Sequence, residues 1–388
     1  MFYLEIGPLQ EFEYTGISNV VCNLAAEFLK QRRFEVTFFA DRREIPRELV
    51  VELVATRTGK GFTWMLRNCA FPAVSALAAD PSVGIFGNAK TGHFLFDYEA
   101  QIIHDLSTFV TPEFHNSDTI QFHTETLLGD LVSNDLNICV SEATKSDLMR
   151  FFPEIPGDRH LVAPPGWDWP SRFAELYDTH FAGREIRPFI LVLGTLEPRK
   201  NIDLVLSFLR DNRSILELYQ FVFAGRYGWG PKTAPRLKEF GLADAVETGR
   251  IVFPGFVGEF TKYAMLRNAA VVVYPSLFEG FGLPVVEALS LGKPVVTTAS
   301  SSLPEVGGDA VTYFHPFAPG SFERALFTTL SEIRTDSVRR ATRAKRQAEL
   351  FSWHRFYSSI VDRIVEDLAT DEPAASSPDA ARLRSSGS

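Results

Sequence analysis

The chain has 388 residues, of which 45% are hydrophobic and 22% are charged. This composition matches soluble globular proteins and excludes a wholly disordered chain, and a length of about 150 residues per domain predicts two or three domains. The 39 Lys and Arg residues against 48 Asp and Glu residues give a net charge of −9, so we expect no nucleic-acid partner. No apolar run approaches the ~18 residues of a membrane-spanning helix. The N-terminus lacks the pattern of a signal peptide, so we expect a cytoplasmic protein.

The first half of the chain alternates apolar strands with helical segments. A strand at FYLEI precedes a helix over residues 17–30, and the later predicted strands are FEVTFFA, ELVVELV, SVGIF, AQIIH and LNICV. Such alternation predicts a parallel sheet with helices on both faces. The segment APPGWDWP, around residues 163–170, is too rich in Pro and Gly for regular structure and predicts a hinge.

The second half repeats the alternation. A strand FILVLG leads to a helix from Asn201, and the strands QFVFAG, RIVFPG, AAVVVYPS, KPVVTT and DAVTYF follow. We therefore expect an α/β protein whose two Rossmann-like domains, residues 1–185 and 186–350, face each other across a cleft. Residues 338–367 are predicted to be helical, with 351–368 packing back toward the first domain, and 369–388 are predicted to be disordered.

The segment PSLFEGFGLPVVEALSLGKPVVT, residues 275–297, carries the strongest functional signal. A strand enters a Gly-rich loop, and Pro284 begins a short helix. The backbone N–H groups of Gly282 and Leu283 at that helix start are suited to bind an anion. Glu279 is predicted to face the cleft, and Glu287 is predicted in the first helical turn. Glu287 can bind the two hydroxyls of a ribose or, alternatively, only complement the helix dipole.

Three further turns follow predicted strands or begin predicted helices. GTLEPRKN places Arg199 and Lys200 at a strand end, where two cations suit a diphosphate; the alternative is an ordinary basic surface turn. Gly16 opens the first helix, either as a second Gly loop on the cleft or as a plain turn. His104 ends the strand AQIIH and either lines the cleft or is structural.

Some motifs are missing from the sequence. There is no D-x-D, the nearest approach being Asp97-Tyr98-Glu99, and no P-loop or G-x-S-x-G elbow. We therefore expect no metal site, and a diphosphate that is bound without a metal ion.

The motif PSLFEGFGLPVVEALSLGKPVVT resembles the E-x7-E signature of retaining GT-B glycosyltransferases of family 4, and GTLEPRKN resembles that family's phosphate-binding turn. The segments SSLPEVGGDAVTYFHP, TGISNVV, HDLSTFVTPEFH and ICVSEATKSDLMRFFP are similar to further blocks of the family pattern. The resemblance covers about residues 1–366. The most similar members are bacterial mannosyl- and related transferases of surface polysaccharide synthesis.

The resemblance implies a GT-B fold in which residues 1–185 bind the acceptor and residues 186–350 bind the nucleotide sugar. It implies that Glu279 contacts the donor sugar and stabilises its positive charge, and that Glu287 holds the ribose. Lys200, assisted by Arg199, would neutralise the leaving diphosphate. The other implied contacts are the amides of Phe281, Gly282 and Leu283, the Gly16 loop, and His104 as the active-site His of the first domain. The chain departs from many members at Thr195 in the phosphate turn and at Asn19, where they have Arg.

From this pattern we expect a metal- and cofactor-independent retaining transferase. It would move a hexose, with mannose favoured, from a GDP- or UDP-linked donor to a glycan or lipid-linked glycan of polysaccharide or lipopolysaccharide synthesis. The alternatives are a nucleotide-sugar epimerase or phosphorylase on the same architecture and a non-catalytic nucleotide-sugar-binding protein. Segment 59–79 is predicted to be a buried helix, the alternative being a peripheral contact with the inner membrane.

Overall fold

The computed structural model describes residues 1–75, 81–181, 183–228 and 233–370. It contains two separate sheets, one in each half of the chain. The α/β architecture of two Rossmann-like domains is therefore confirmed. Of the predicted disordered tail, residues 369 and 370 continue the last helix, and the remainder lies outside the described residues.

The first sheet has seven strands in the order β3-β2-β1-β4-β5-β6-β7. The strands are β1 Phe2–Glu5, β2 Val36–Ala40, β3 Arg43–Ile45, β4 Val83–Phe86, β5 Tyr98–Ile103, β6 Leu136–Cys139 and β7 His160–Val162. All neighbours pair in parallel except β2 and β3, which are antiparallel. Strands β1, β4, β5 and β6 are buried along their full length because helices cover both faces.

The second sheet has six parallel strands in the order β10-β9-β8-β11-β12-β13. The strands are β8 Phe189–Leu193, β9 Gln220–Ala224, β10 Ile251–Gly255, β11 Val271–Tyr274, β12 Val295–Thr298 and β13 Thr312–Phe314. From β8 the chain adds strands β9 and β10 on one side of the sheet, and it then crosses to add β11, β12 and β13 on the other side. Strands β8 and β11 are therefore neighbours at the point where the direction of strand addition reverses. The loops after these two strands therefore meet at one edge, where doubly wound sheets bind ligands.

Helices connect the strands. In the first half they are α1 Gly16–Gln31, α2 Arg47–Thr56, α3 Phe62–Asn68, α4 Ser107–Val110, α5 Ser117–Ser133, α6 Glu142–Phe151 and α7 Arg172–Phe181. In the second half they are α8 Ile202–Asp211, α9 Ile215–Leu218, α10 Thr233–Glu239, α11 Ala243–Glu247, α12 Glu259–Asn268, α13 Leu283–Ser290, α14 Leu303–Gly307, α15 Ser321–Thr335, α16 Ser337–Ala348 and α17 Trp353–Thr370. Among the described residues, none of these helices is long and apolar enough to cross a membrane.

Two predictions about these elements were wrong, and two strands were missed. The segment ELVVELV is helix α2, not a strand, because only Val50 and Leu53, three residues apart on one helix face, are buried while Val51 is exposed. The predicted helix over 338–367 is two helices, and Phe351 in the break packs edge-on against Phe281. The short strands β3 and β7 were not predicted from the sequence.

Segment 59–79 is only partly a helix. In α3 the side chains of Phe62 and Leu66 are buried, as predicted, but Trp64 is exposed. Residues 69–75 do not continue the helix, and 76–79 lie outside the described residues.

The last helix, α17, packs on the first domain. The Tyr357 ring lies 4.9 Å from that of Phe28 on α1, at an angle of 87°. The Tyr98 hydroxyl of β5 donates to Asp367 at 2.5 Å. Helix α16 instead packs on α13 of the second domain. The chain therefore ties the two domains together at its C-terminal end as well as at residues 163–170.

Replacing Ile360, which is completely buried in α17, should measure the strength of this attachment. We expect Ile360→Ala to lower the free energy of unfolding by about 2–5 kcal/mol, because the truncation leaves a cavity. Chemical denaturation followed by circular dichroism measures the change. Ser359→Ala, an exposed neighbour on the same helix, is the control and should have little effect. Equal stability of Ile360→Ala and the wild type would contradict the packing of α17.

Candidate active site

A cavity of about 550 Å³ lies between the two sheets, at the carboxyl ends of their strands. This volume is typical of sites for small ligands. All the residues singled out from the sequence line it: Gly16, His104, Thr195, Arg199, Lys200, Glu279, Phe281, Gly282, Leu283 and Glu287. The structure therefore brings together residues that lie up to 271 positions apart in the chain, from Gly16 to Glu287. The role of each remains a prediction.

Glu279 is the centre of a buried ion cluster. The Lys200 ammonium donates to Glu279 Oε1 at 2.5 Å and to the Tyr274 hydroxyl at 3.0 Å. The Tyr274 hydroxyl in turn donates to the same Glu279 oxygen at 2.8 Å. Tyr274 ends β11, and Lys200 follows β8, the neighbouring strand. The cluster therefore depends on the pairing of these two strands.

Arg199 holds the loop that carries Glu279. Its Nη1 donates to the Phe278 carbonyl at 2.7 Å and to Glu279 Oε2 at 3.2 Å, and its Nη2 donates to Glu197 at 2.9 Å. Both terminal nitrogens of Arg199 therefore donate to acceptors within the protein. A diphosphate would therefore have to compete with Glu279 for Arg199, as it would for Lys200.

The charges around Glu279 keep it ionised. Burial by itself raises the pKa of this carboxyl, but Lys200 and Arg199 outweigh burial and lower the pKa to about 2. Glu279 therefore carries a full negative charge at every pH at which the protein is expected to work.

Gly280 packs directly against the first domain. A Cβ atom at this position would lie 1.8 Å from the backbone carbonyl oxygen of His104, so no larger residue fits here without movement. The His104 ring donates its Nε2–H to the Gly87 carbonyl at 2.8 Å, which leaves Nδ1 as an acceptor. Burial lowers the pKa of His104, so the ring is neutral at neutral pH. A neutral ring can accept a hydrogen bond from a hydroxyl in the cavity.

Helix α13 begins at the cavity. Gly282 adopts a φ of 108°, which favours glycine. The helix begins at Leu283, one residue before Pro284, which was predicted to begin it. Within the described residues, the N–H groups of Phe281, Gly282 and Leu283 take part in no hydrogen bond with protein. These amides can therefore bind an anion or a hydroxyl.

Glu287 lies in the second turn of α13, so its predicted place in the first turn was wrong. Its Oε1 accepts a hydrogen bond from Lys262 at 2.7 Å, and Lys262 also contacts Glu259 at 3.0 Å. A carboxylate in the second turn gains little from the helix dipole, which acts within the first turn. The pairing with Lys262 on α12 instead holds Glu287 against the cavity wall.

The Gly16 loop is held by a carboxylate that the sequence analysis missed. Glu11 Oε2 accepts from the Thr15 hydroxyl at 2.8 Å and from the Ser18 hydroxyl at 2.6 Å. A Cβ atom on Gly16 would meet no atom within 4 Å, so this glycine borders open space. Glu11 also lies 3.9 Å from Arg226 of the second domain.

Other residues of the site were also missed: Tyr274, Glu197, Lys262 and Glu259. Of these, Glu197 lies within the motif GTLEPRKN, and Tyr274 is a polar end to the apolar strand AAVVVY. Charged residues such as Lys262 are indistinguishable in sequence from surface positions, because their partners come from distant segments.

The nearest approach to a D-x-D motif, Asp97-Tyr98-Glu99, lies outside the cavity between the domains. Asp97 Oδ2 accepts hydrogen bonds from the backbone N–H and hydroxyl of Ser82 at 2.9 and 2.7 Å. The buried Glu99 forms an ion pair with Lys90. Neither carboxylate lines the cavity between the domains.

Residues 179–347 match the family model "Glycosyl transferases group 1". This part of the chain is therefore similar to a glycosyl transferase group 1 domain. The match includes Lys200, Arg199, Glu279 and Glu287 and so covers one side of the cavity.

Similar curated proteins extend the match into the first half. The O-antigen chain mannosyltransferase B of Escherichia coli is 31% identical over 264 residues, which are 64% of this chain and 65% of the relative. The MMP alpha-(1->4)-mannosyltransferase of Mycolicibacterium hassiacum is 28% identical over 221 residues, 56% of this chain and 50% of the relative. The matched region thus spans less than two thirds of each relative's length.

Two solved structures share the fold over 94% of this chain. WaaG, a glycosyltransferase involved in lipopolysaccharide biosynthesis, superposes with a TM-score of 0.64 at 15% identity, covering 94% of this chain and 99% of its own. HepE of Anabaena, crystallised with UDP and glucose, has a TM-score of 0.61 at 16% identity with coverage of 94% and 99%. The GT-B fold expected from the sequence is confirmed.

The ion cluster makes Lys200 the first side chain to test. Lys200→Ala should lower kcat by roughly 10²–10³-fold, because it removes a preorganised cation from the cleft. Arg199 still neutralises Glu279 in this variant, so the circular dichroism spectrum should be unchanged. Lys238→Ala, which removes an exposed lysine of α10 outside the cavity, is the control. Normal turnover of a folded Lys200→Ala variant would contradict a role in neutralising the leaving group.

Proposed function

We propose that the protein is a retaining glycosyltransferase that transfers mannose from a nucleotide sugar to a bacterial polysaccharide acceptor, without a metal ion. The observation that carries this proposal is the cleft itself. Lys200, Arg199, the amides at the start of α13 and an ionised Glu279 line one cavity between two Rossmann-like domains. This arrangement can bind a diphosphate and a sugar side by side.

The cations act on the leaving group. Breaking the bond between a sugar and a diphosphate builds negative charge on the phosphate oxygens, and a fixed positive group lowers the barrier. Preorganised groups of this kind contribute about 2.7–4 kcal/mol each. Lys200 would exchange its contact with Glu279 for one with the diphosphate, and the amides of Gly282 and Leu283 would add neutral donors.

The carboxylate acts on the sugar. As the diphosphate leaves, positive charge develops on the sugar ring, and Glu279 supplies a full negative charge beside it. Burial of the site strengthens this interaction, because little water is present to screen it. His104, with Nδ1 as an acceptor, would orient a sugar hydroxyl from the other side of the cleft.

The anomeric configuration of the sugar is retained if the acceptor hydroxyl attacks the anomeric carbon from the same face that the diphosphate leaves. Glu279 is held by Lys200, Arg199 and Tyr274, which makes it a poor nucleophile for a double displacement. A phosphate oxygen of the leaving group would accept the proton of the acceptor hydroxyl. The bond from the anomeric carbon to that phosphate breaks, and the bond to the acceptor oxygen forms on the same face.

The substrates are proposed from the similar proteins. Two of them are named as mannosyltransferases, one of the O-antigen chain, which supports a mannosyl donor and a polysaccharide or lipid-linked acceptor. We favour GDP-mannose as the donor, with UDP-sugars as the alternative because a neighbour of the same fold was crystallised with UDP and glucose. Activity in the cytoplasm at the inner face of the membrane remains part of this proposal.

A thermal-shift screen followed by a transfer assay tests the donor and the reaction. We expect GDP-mannose to stabilise the protein, by about 2.7 kcal/mol at 100 times its Kd, more than UDP-glucose or UDP-N-acetylglucosamine does. With a polysaccharide acceptor, nuclear magnetic resonance of the product should show that the new glycosidic bond has the same anomeric configuration as the bond in the donor. A product of inverted configuration would contradict retention, and stabilisation only by UDP-sugars would contradict the GDP-linked donor.

We also expect transfer to be unchanged by EDTA, because protein groups supply the positive charge around the diphosphate. The assay compares initial rates with and without chelator at constant ionic strength. Loss of activity in EDTA that is restored by Mg²⁺ or Mn²⁺ would show that a metal ion takes part.

A further inference from the structure

Glu305 joins the two domains at a point outside the cavity. Its Oε2 accepts a hydrogen bond from the backbone N–H of Glu142, and its Oε1 accepts one from the N–H of Ala143, both at 2.8 Å. These are the first two residues of α6, a helix of ten residues in the first domain. The first N–H groups of a helix have no acceptor within the helix and carry partial positive charge. Glu305 therefore completes the cap of a helix that belongs to the other domain.

The same helix start contacts the loop of Glu279. The Thr144 hydroxyl of α6 lies 3.4 Å from the Gly280 carbonyl oxygen, and Gly280 also packs against the backbone of His104. Ser141, the residue before α6, caps the helix from within its own domain by accepting from the Thr144 N–H at 3.0 Å. The helix start is therefore already capped locally, and the contact with Glu305 adds a bond between domains that exists only when they are close together.

Glu305 is connected to the Glu279 loop by its own segment. The Ser302 hydroxyl lies 2.9 Å from the Glu279 carbonyl oxygen and 2.8 Å from that of Phe281. The Ser301 hydroxyl also donates to the Glu279 carbonyl. At the other end of α14, the Gln347 amide donates to the carbonyls of Glu305 and Val306 at 3.3 and 3.1 Å. A short, well-anchored segment thus links the contact between the domains to the backbone of Glu279.

We propose that Glu305 is a positioning residue that couples closure of the two domains to the placement of Glu279. When the domains close, the Glu305 carboxylate binds the start of α6. Ser301 and Ser302, which precede Glu305 in the same segment, bind the loop of Glu279, so closure also places this loop. Glu305 does not line the cavity and acts only through these contacts. Its effect on the rate of transfer rests on the proposed function, whereas its effect on closure does not.

A pair of substitutions at Glu142 isolates the hydrogen bond. Glu142→Pro removes the N–H that Glu305 accepts, and the first position of a helix tolerates proline. Ser141, the residue before it, is extended with φ −159° and ψ 164°, as a residue before proline requires. Glu142→Ala removes the same side chain but keeps the N–H, so it is the matched control. Glu305→Gln tests the contact from the other domain with a side chain of the same shape.

We expect Glu142→Pro and Glu305→Gln each to lower kcat about tenfold, the effect of one hydrogen bond to a charged group, while Glu142→Ala keeps normal kcat. The Kd of GDP or UDP, measured by calorimetry, should be unchanged in all three variants. The kcat of the double variant Glu142→Pro with Glu305→Gln should be little lower than that of Glu305→Gln alone, because both changes remove the same contact. Equal kcat for Glu142→Pro and Glu142→Ala would overturn the proposal.

Small-angle X-ray scattering without ligand tests closure independently of activity. Glu142→Pro and Glu305→Gln should have a larger radius of gyration than the wild type and Glu142→Ala. If the wild type transfers no sugar, the proposed function fails, but the scattering comparison still decides whether Glu305 holds the domains together. An unchanged radius of gyration in both variants would overturn the coupling.

Discussion

The site depends on one buried charge cluster, in which Glu279 lies between Lys200 and Arg199. Removing a carboxylate from water costs several kcal/mol unless cations and hydrogen-bond donors replace the water. Here the cations come from the turn after β8 and the carboxylate from the loop after β11, so the two strands must be neighbours. The same cations are the groups that a diphosphate would bind. Glu279 is the counterion of both cations and holds them at the cleft.

The second constraint is that the two domains meet closely around this cluster. Gly280 leaves no space for a side chain against His104, and Glu305 binds the start of α6. Closure of this kind excludes water, and electrostatic interactions in the cleft become stronger as a result. Helices α16 and α17 add a second connection, because α16 packs on the second domain and α17 on the first. The loop of Glu279 thus contacts the cations after β8 and, through Ser302, the segment that carries Glu305.

Much of the fold was predictable because its strands are short apolar runs ending in Gly or Pro-Ser, and parallel sheets bury both faces of such strands. The prediction failed at ELVVELV. The apolar residues of this segment are spaced in a way that fits both a strand and a helix, and packing in the folded protein selected the helix α2. The predicted helix over 338–367 failed for a similar reason. At its break, Phe351 packs against the ring of Phe281, which comes from another part of the chain.

The sequence by itself determined the local chemistry: Lys200 after a strand, Glu279 before a Gly-rich loop, and free amides at a helix start beside Pro284. These features depend only on residues that are adjacent in the chain, and a sequence motif is made of such residues. Only the tertiary structure decided which charges pair, such as Glu287 with Lys262, Glu11 with the Gly16 loop and Glu305 with α6. Those partners lie on separate elements, and no local pattern specifies them, because pairing of distant charges is set by strand order and domain closure.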